Sequence, residues 1–280
     1  MEIIGCPDGV REQSRRWRAA GETVAFVPTL GSLHEGHVSL VDSARQAGAD
    51  RVIVSIFLNP TQFGPGEDLS AYPRDDTQDE RLLRGRGVDL LFRPTVETIY
   101  PSGRETVVSL TALPRHLCGR SRPGHFDGVA TVVTLLFNIV EPHLAVFGEK
   151  DFQQLQVIRR LTRDLHLPIE IVGAPIVRAQ DGLALSSRNA YLDSAERKRA
   201  TCLFEALTKA RSMVAAGERS SQTLISHMRQ ICEESGGTVD YVDIVDLKTL
   251  KSVAHVDGPC RAVLAVGIGP ARLLDNTSLP

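Results

Sequence analysis

The sequence predicts an α/β protein with a doubly wound parallel sheet, followed by a second, smaller α+β domain. Three observations indicate this class. Apolar strand-like runs alternate with helical segments of about 10–15 residues over the first part of the chain. A short glycine-containing loop joins an early strand to the helix after it. Beyond Val177 the pattern changes to helices followed by short strands, so we expect domains at residues 1–177 and 178–280.

The elements of the first domain are predicted in order along the chain. Residues 1–20 are expected to form a helix before the first strand. Further helices are expected at residues 36–48, 75–86, 127–139 and 152–165. Strands are expected at residues 22–28, 51–58, 88–92, 144–147 and 169–177, with one more candidate at 106–110. The strand at 51–58 is a nearly unbroken apolar run, which is typical of strands covered on both faces.

The second domain is predicted from two long amphipathic helices and two short strands. The helices are expected at residues 193–216 and 220–235, and the strands at 239–245 and 262–268. Before them, residues 179–182 predict a turn and residues 185–189 an exposed loop. Helices followed by strands, rather than alternating with them, are typical of an α+β arrangement.

Composition excludes several classes of function. The net charge is −2 and no block of five like charges occurs, so nucleic acid is not an expected partner. No apolar run approaches the roughly 20 residues of a membrane helix, and the N-terminus lacks a signal-peptide pattern. The five cysteines are scattered and never form a C-x-x-C pair. We therefore expect neither a disulfide framework nor a zinc site, and a cytoplasmic location.

The turn at residues 27–41 carries the first candidate site. A strand runs into a loop with Pro28 and two glycines, which then opens into a helix, as in the first β–α turn of Rossmann-like nucleotide-binding folds. His34 and His37, three residues apart, stand where that helix begins. A helix N-terminus offers N–H donors and partial positive charge, so this turn suits a triphosphate. The alternative interpretation is a pair of surface histidines.

Three further segments follow predicted strands or lie near the start of the second domain. Gly148 to Asp151 ends a strand and is followed by Gln153 and Gln154, whereas Asn59-Pro60-Thr61-Gln62-Phe63 ends another strand. Leu185 to Arg188 supplies hydroxyls and a guanidinium that could cover a pyrophosphate. Each could instead be an ordinary turn or helix cap. Because no Walker loop, G-x-G-x-x-G or G-x-S-x-G motif is present, the residues alone indicate a nucleotide-binding α/β enzyme of unspecified reaction.

These segments also carry a resemblance to a known family. His34-Glu35-Gly36-His37 resembles the His-x-Gly-His motif of class I synthetases and nucleotidyltransferases. Five strings, in order, resemble the pantothenate synthetase (pantoate–beta-alanine ligase) family. They are residues 28–37, 59–63, 125–129, 146–151 and 186–189, which cover about residues 20–193.

The resemblance implies a two-step reaction and a set of site residues. Pantoate would attack ATP to give pantoyl adenylate and pyrophosphate, and beta-alanine would then release AMP and pantothenate. Gln62 and Gln154 would bind pantoate, and Gln62 later beta-alanine. The residues implied to contact ATP are Leu30, Gly31, Ser32, Leu33, His34, Glu35, Gly36, His37, Gly148, Glu149, Lys150, Asp151, Val177, Leu185, Ser186, Ser187 and Arg188. The catalytic groups would be His34, His37, Lys150 and Arg188.

The resemblance further implies ATP as substrate, Mg²⁺ bound through its phosphates, no protein metal site, and a homodimer. The family usually has methionine where Leu30 and Leu185 stand, a change that keeps side-chain volume and apolarity. Two alternatives remain open from the residues. One is a cytidylyl- or adenylyltransferase of the same superfamily, against which Gln62 and Gln154 argue. The other is a nucleotide-binding regulatory module, which would not need Lys150 or the hydroxyls of residues 186–187.

Overall fold

The computed structural model describes residues 1–280, which divide into two compact units. The first unit comprises Met1–Thr111, Arg122–Glu149 and Val157–Pro175, and the second comprises Ala112–Ser121, Lys150–Gln156 and Ile176–Pro280. Two short segments that precede residue 176, at 112–121 and 150–156, thus belong to the second unit. The division of the sequence into domains at residue 177 stays a prediction.

Nine strands and ten α-helices make up the two units. The strands are β1 (Glu2–Ile4), β2 (Val24–Thr29), β3 (Arg51–Ile56), β4 (Leu90–Phe92), β5 (Leu144–Gly148), β6 (Glu170–Ala174), β7 (Thr238–Asp246), β8 (Cys260–Ile268) and β9 (Ala271–Leu279). The helices are α1 (Pro7–Ala19), α2 (Glu35–Gln46), α3 (Asp76–Gly85), α4 (Val96–Ile99), α5 (Leu117–Ser121), α6 (His125–Val140), α7 (Phe152–Asp164), α8 (Ser194–Arg199), α9 (Cys202–Ala215) and α10 (Ser221–Glu234). None of these helices has the length and apolar character needed to cross a bilayer.

The first unit is built on a six-stranded parallel sheet in the order β1-β4-β3-β2-β5-β6. Side chains of a strand point alternately to its two faces. Ala25 and Val27 of β2 therefore share one core with residues of α2. Phe26 points the other way and contacts Phe137 of α6, with ring centroids 6.4 Å apart. Helices cover both faces, which confirms the predicted doubly wound sheet.

The direction in which the chain adds strands reverses next to β2. The chain passes from β2 to β3 and β4 on one side, and later adds β5 and β6 on the other. In open parallel sheets, ligands bind outside the carboxyl ends of the strands at such a switch point. The segments 30–37 and 148–151, which contain the turns after β2 and β5, therefore begin at neighbouring strand ends.

The second unit contains an antiparallel sheet in the order β7-β8-β9. Helices α9 and α10 share an apolar core with it, to which β8 contributes four fully buried side chains. Those side chains are Ala262, Leu264, Val266 and Ile268. The arrangement confirms the predicted smaller α+β part.

Several elements differ from the sequence-based predictions, among them the short helices α4 and α5, which were not predicted. β1 precedes the first helix as a three-residue edge strand, too short to leave a periodic signal. Residues 106–110 form no strand, and the N–H of Val108 donates instead to the hydroxyl of Thr131. The helix expected at 193–216 breaks into α8 and α9. β9 was not predicted, because the two adjacent polar residues Asp275 and Asn276 are buried on its opposite faces and break the apolar pattern.

Candidate active site

The turn that follows β2 is held by a buried carboxylate. Asp79 of α3 accepts hydrogen bonds from the backbone N–H groups of Ser32 and Leu33, at 2.9 and 2.7 Å. Gly31 has a φ of +91°, and a Cβ at this residue would lie 3.1 Å from a side-chain carbon of Ile56. Burial raises the pKa of Asp79, and the two N–H donors oppose that shift. Sequence reasoning missed Asp79, which lies 47 positions from Ser32.

The two histidines lie at the N-terminus of α2. His34 is the N-cap residue, and its Nδ1 accepts a hydrogen bond from the N–H of Gly36 at 3.1 Å. In a neutral ring whose Nδ1 accepts, the proton is on Nε2, so Nε2 is a donor. The ring of His37 lies against that of His34, with centroids 4.1 Å apart and planes inclined by 35°. With the positive end of the helix dipole, this pair can stabilise an anion.

Glu35 lies between the two histidines in sequence but has a different environment. Its side chain is exposed and pairs with Arg86, which also donates to Asp42 at 2.9 Å. This contact neutralises a carboxylate that would otherwise lower the positive potential at the start of the helix. The local sequence gives no indication of the contact between Glu35 and Arg86, because Arg86 is 51 positions away.

Gln62 is buried in a single 3₁₀ turn, Pro60–Gln62, directly beyond β3. Asn59 Nδ2 donates to Gln62 Oε1 at 2.9 Å, and Tyr100 Oη donates to Asn59 Oδ1 at 2.7 Å. Because Oε1 already accepts, the amide orientation is set, and Gln62 Nε2 remains a donor without a protein acceptor. Such a donor suits a carboxylate or a hydroxyl. A Cβ on Gly128 would lie 2.4 Å from the carbonyl oxygen of Thr61, so α6 packs tightly against this turn.

A further group of side chains holds the backbone carbonyl of Gln62. His125 Nδ1 lies 2.8 Å from this oxygen and must donate to it, because a carbonyl only accepts. Arg122 donates to the same oxygen at 3.3 Å and to His125 Nε2 at 3.1 Å. It also donates two bonds of 2.6 Å to Glu67, which hold the pKa of that carboxyl below its usual value. The string at residues 125–129 indicated this region without indicating these roles.

At the end of β5 the chain forms a 3₁₀ turn over Glu149–Asp151 and enters α7. The first two residues of the segment 148–151 belong to the first unit, and the last two to the second. Lys150 Nζ lies 3.5 Å from a carboxylate oxygen of Asp151. Gln153 is buried and donates to two backbone carbonyls at 3.0 and 2.7 Å, whereas Gln154 is half-buried with no hydrogen-bonding protein partner. Gln154 therefore has an amide available for a ligand.

Residues 177–185 of the second unit form a hairpin. The N–H of Leu185 donates to the carbonyl of Val177 at 2.9 Å, and Arg178 donates two bonds to Asp275 of β9. Ser186 caps the following 3₁₀ turn by accepting from the N–H of Arg188. The prediction of an exposed loop at 185–189 is wrong, because Ser187 is buried and the other four residues are half-buried.

The structure thus distributes the predicted site residues over both units. The first unit holds those at the carboxyl ends of neighbouring parallel strands: residues 30–37, Gln62, Gly148 and Glu149. The second unit holds Lys150, Asp151, Gln154, Val177 and residues 185–188. No group of three or more His, Cys, Asp or Glu side chains could hold a metal ion.

Comparisons with known proteins agree with the motif resemblance. The family model described as pantoate-beta-alanine ligase matches residues 2–278. A pantothenate synthetase of Desulfatibacillum aliphaticivorans is 50% identical over 280 residues, covering 100% of this chain and 99% of that protein. A pantothenate synthetase of Thermotoga petrophila is 49% identical over 280 residues, covering 100% of this chain and 100% of that protein.

Solved structures give the same result. The crystal structure of pantothenate synthetase from Thermus thermophilus superposes with a TM-score of 0.95 at 43% identity, over 100% of both chains. That of a Francisella tularensis pantoate-beta-alanine ligase, complexed with beta-gamma ATP and beta-alanine, gives 0.80 at 33% identity, over 99% of this chain and 97% of that one. The chain therefore belongs to the pantoate–beta-alanine ligase family, as its motifs predicted, and it is an enzyme of pantothenate biosynthesis that joins pantoate to beta-alanine with ATP.

Proposed function

We propose that the ligation proceeds through a pantoyl adenylate. A carboxylate oxygen of pantoate bonds to the α-phosphorus of ATP, and the bond from that phosphorus to the bridging oxygen breaks to release pyrophosphate. The amine of beta-alanine then bonds to the acyl carbon, and the bond from that carbon to the bridging oxygen of the mixed anhydride breaks. AMP leaves with that oxygen, and the nitrogen loses a proton. A carboxylate nucleophile is already ionised near neutral pH, so the first step requires no general base.

The observation that supports this route best is the histidine pair at the N-terminus of α2. Its rings lie 4.1 Å apart, and the Nδ1 of His34 already accepts a backbone N–H. The pair can therefore donate to phosphate oxygens but is poorly placed to remove a proton through His34 Nδ1. Fixed donors directed at developing negative charge suit attack at phosphorus, where positioning and electrostatics provide most of the rate.

We assign the remaining roles from the family resemblance and from the hydrogen bonding described above. Residues 30–37 and 148–151 would contact ATP, with Lys150 at its phosphates and Val177 at the adenine. Gln62 and Gln154, whose amides have donors to spare, would bind pantoate, and Gln62 would later bind beta-alanine. Residues 185–188 would cover the phosphates and exclude water from the mixed anhydride.

Mg²⁺ would enter with ATP and be held by its phosphate oxygens and water. An ion of this kind commonly keeps several water ligands and binds through substrate phosphates. When bound, the ion would neutralise charge on the departing pyrophosphate. We also propose a homodimer, which sedimentation of the purified enzyme would test, and a cytoplasmic location.

Isotope exchange tests the intermediate. With pantoate present and beta-alanine absent, the enzyme should exchange labelled pyrophosphate into ATP. Pantoate carrying ¹⁸O in its carboxylate should transfer one ¹⁸O atom to AMP during the complete reaction. A complete reaction in which AMP acquires no ¹⁸O would rule out the adenylate.

A further inference from the structure

Two segments of the second unit that we assign to the phosphates of ATP are attached to adjacent residues of β9. One segment contains Lys150, and the other is the hairpin 177–185 that leads into Ser186 to Arg188. Asn276 contacts the first and Asp275 contacts the second. Neither residue lies in the five strings that carried the family resemblance, and β9 itself was not predicted.

Asn276 connects β9 to the backbone of Lys150. Its Nδ2 donates to the carbonyl oxygen of Lys150 at 2.9 Å. Its Oδ1 accepts from Arg261 Nε at 2.6 Å, so the amide orientation is set. The guanidinium of Arg261 in turn lies 4.7 Å from the ring centroid of Phe152, two residues after Lys150. The carbonyl of Lys150 and the ring of Phe152 are thus both contacted by one buried network.

Asp275 connects the same strand to the hairpin. Its side chain has no exposed surface, and it accepts two hydrogen bonds from Arg178 at 2.6 and 2.9 Å. Arg178 also donates to the carbonyl of Gly182, across the hairpin. The backbone N–H of Asn276 donates to Asp275 Oδ1 at 2.7 Å, which joins the two contacts.

Burying an amide and an ion pair in a strand costs desolvation that apolar side chains would avoid. Resting on the function proposed above, we infer that Asp275 and Asn276 are positioning residues for phosphoryl transfer. They hold Lys150 and the segment 186–188 in a fixed position relative to each other. A cationic group displaced by about 1 Å can cost on the order of 10²-fold in rate, so a rigid attachment has a direct kinetic benefit.

A double-mutant cycle tests the inference in the full-length enzyme. Asn276→Asp keeps an acceptor for Arg261 but removes the donor to Lys150. We expect it to lower the maximal rate of pantoate-dependent pyrophosphate exchange by about 10-fold, with the KM for pantoate changed less than about twofold. In a Lys150→Ala background, the same substitution should cause no further loss, because Asn276 acts through Lys150.

Ser278→Ala is the matched control, since Ser278 also contacts Arg261 from β9 but does not contact Lys150. It should leave exchange unchanged, and Asn276→Ala should behave like Asn276→Asp without adding a charge. Losses that multiply in the double variant, or an equal loss in Ser278→Ala, would overturn the positioning role. Full exchange in Lys150→Ala alone would instead overturn the proposed function of Lys150, so the two failures are distinguishable.

Discussion

At the scale of single residues, neighbouring amides have different roles. Gln153 and Gln154 are adjacent and chemically identical, and sequence reasoning could separate them only through the family resemblance. The structure commits Gln153 to the carbonyls of Leu113 and His116, whereas the amide of Gln154 has no protein partner. Gln62 resembles Gln154 in keeping a donor available, although its Oε1 is occupied by Asn59.

We therefore expect Gln62→Ala and Gln154→Ala each to raise the KM for pantoate by about 10-fold or more, the cost of losing a hydrogen bond to a charged group. The KM for ATP should change less than about twofold. Steady-state kinetics with each substrate varied gives both values. Gln153→Ala is the matched control and should lower thermal stability while leaving the pantoate KM nearly unchanged. Equal changes in both KM values would contradict the assignment.

The histidine pair allows a separation of capping from catalysis. His34→Asn retains an acceptor for the N–H of Gly36, whereas His34→Ala loses the cap and about 1 kcal/mol of stability. Both variants, and His37→Ala, should lower pyrophosphate exchange by on the order of 10²-fold, because each removes an imidazole donor. Chemical denaturation measures the loss of stability expected for His34→Ala. Near-normal exchange in His34→Asn would show that His34 only caps the helix.

At the scale of elements, distant helices fix the loops of the site. Asp79 of α3 holds the turn after β2. His125, at the start of α6, and Arg122, three residues before it, hold the turn after β3. In each case a backbone group of the loop is bonded to a side chain far away in sequence. The loops are therefore positioned by the packing of the first unit as well as by their local turn residues.

Asp79→Asn tests the first of these contacts. An asparagine accepts one of the two N–H groups but presents its own N–H₂ to the other, which leaves a buried donor unsatisfied. Because the substitution also removes a buried charge, we expect a net loss of about 1–2 kcal/mol in the free energy of unfolding, measured with denaturant. Asp76→Asn, at an exposed position in the same helix, should change it by less than about 0.5 kcal/mol. Unchanged stability in Asp79→Asn would contradict the argument.

The Glu67–Arg122 pair predicts a pH dependence. The pKa of Glu67 is lowered in the folded state by Arg122, so folding favours the ionised carboxylate. Its stabilising contribution is present above the ordinary glutamate pKa of about 4.3 and is lost as the pH falls through the lower folded-state value. The thermal midpoints of the wild type and Glu67→Gln should differ at pH 7 and converge below that range. Glu12→Gln, an exposed control, should show no such convergence, and a pH-independent difference for Glu67→Gln would contradict the prediction.

At the scale of the whole molecule, the proposed route requires that the acyl adenylate be kept from water until beta-alanine reacts with it. Residues 186–188 follow a hairpin that is tied to β9, so any closing motion would involve this bonded structure rather than a free loop. A mixed anhydride exposed to water would hydrolyse before the amine arrives.

Arg188→Ala should slow pyrophosphate exchange and release AMP in excess of pantothenate, because the intermediate is retained less well. Quantifying both products in one reaction measures the leak. Limited proteolysis at residues 179–190, with and without ATP plus pantoate, gives an independent measure of closure. A variant that forms AMP and pantothenate in equal amounts, together with cleavage that substrates do not slow, would exclude a covering role.

The sequence alone was enough to predict the fold class, the family and the position of the histidine pair. Apolar strands alternating with helices predicted the parallel sheet, and five ordered motifs predicted the family. Both signals are local, because strand and helix periodicities and motif spacing are properties of short segments. The histidines at the start of α2 were predicted for the same reason.

The groups that support those motifs become apparent only in the folded protein. Asp79, Arg122 and Asn276 act on backbone atoms 46 to 126 positions away, and no local pattern encodes such contacts. Strand β9 was not predicted because Asp275 interrupts one of its faces and Asn276 is buried on the other. Those polar side chains are tolerated in the interior because partners from other segments satisfy their hydrogen bonds. A residue's partners across the fold, rather than its neighbours in sequence, determine whether burying it is favourable.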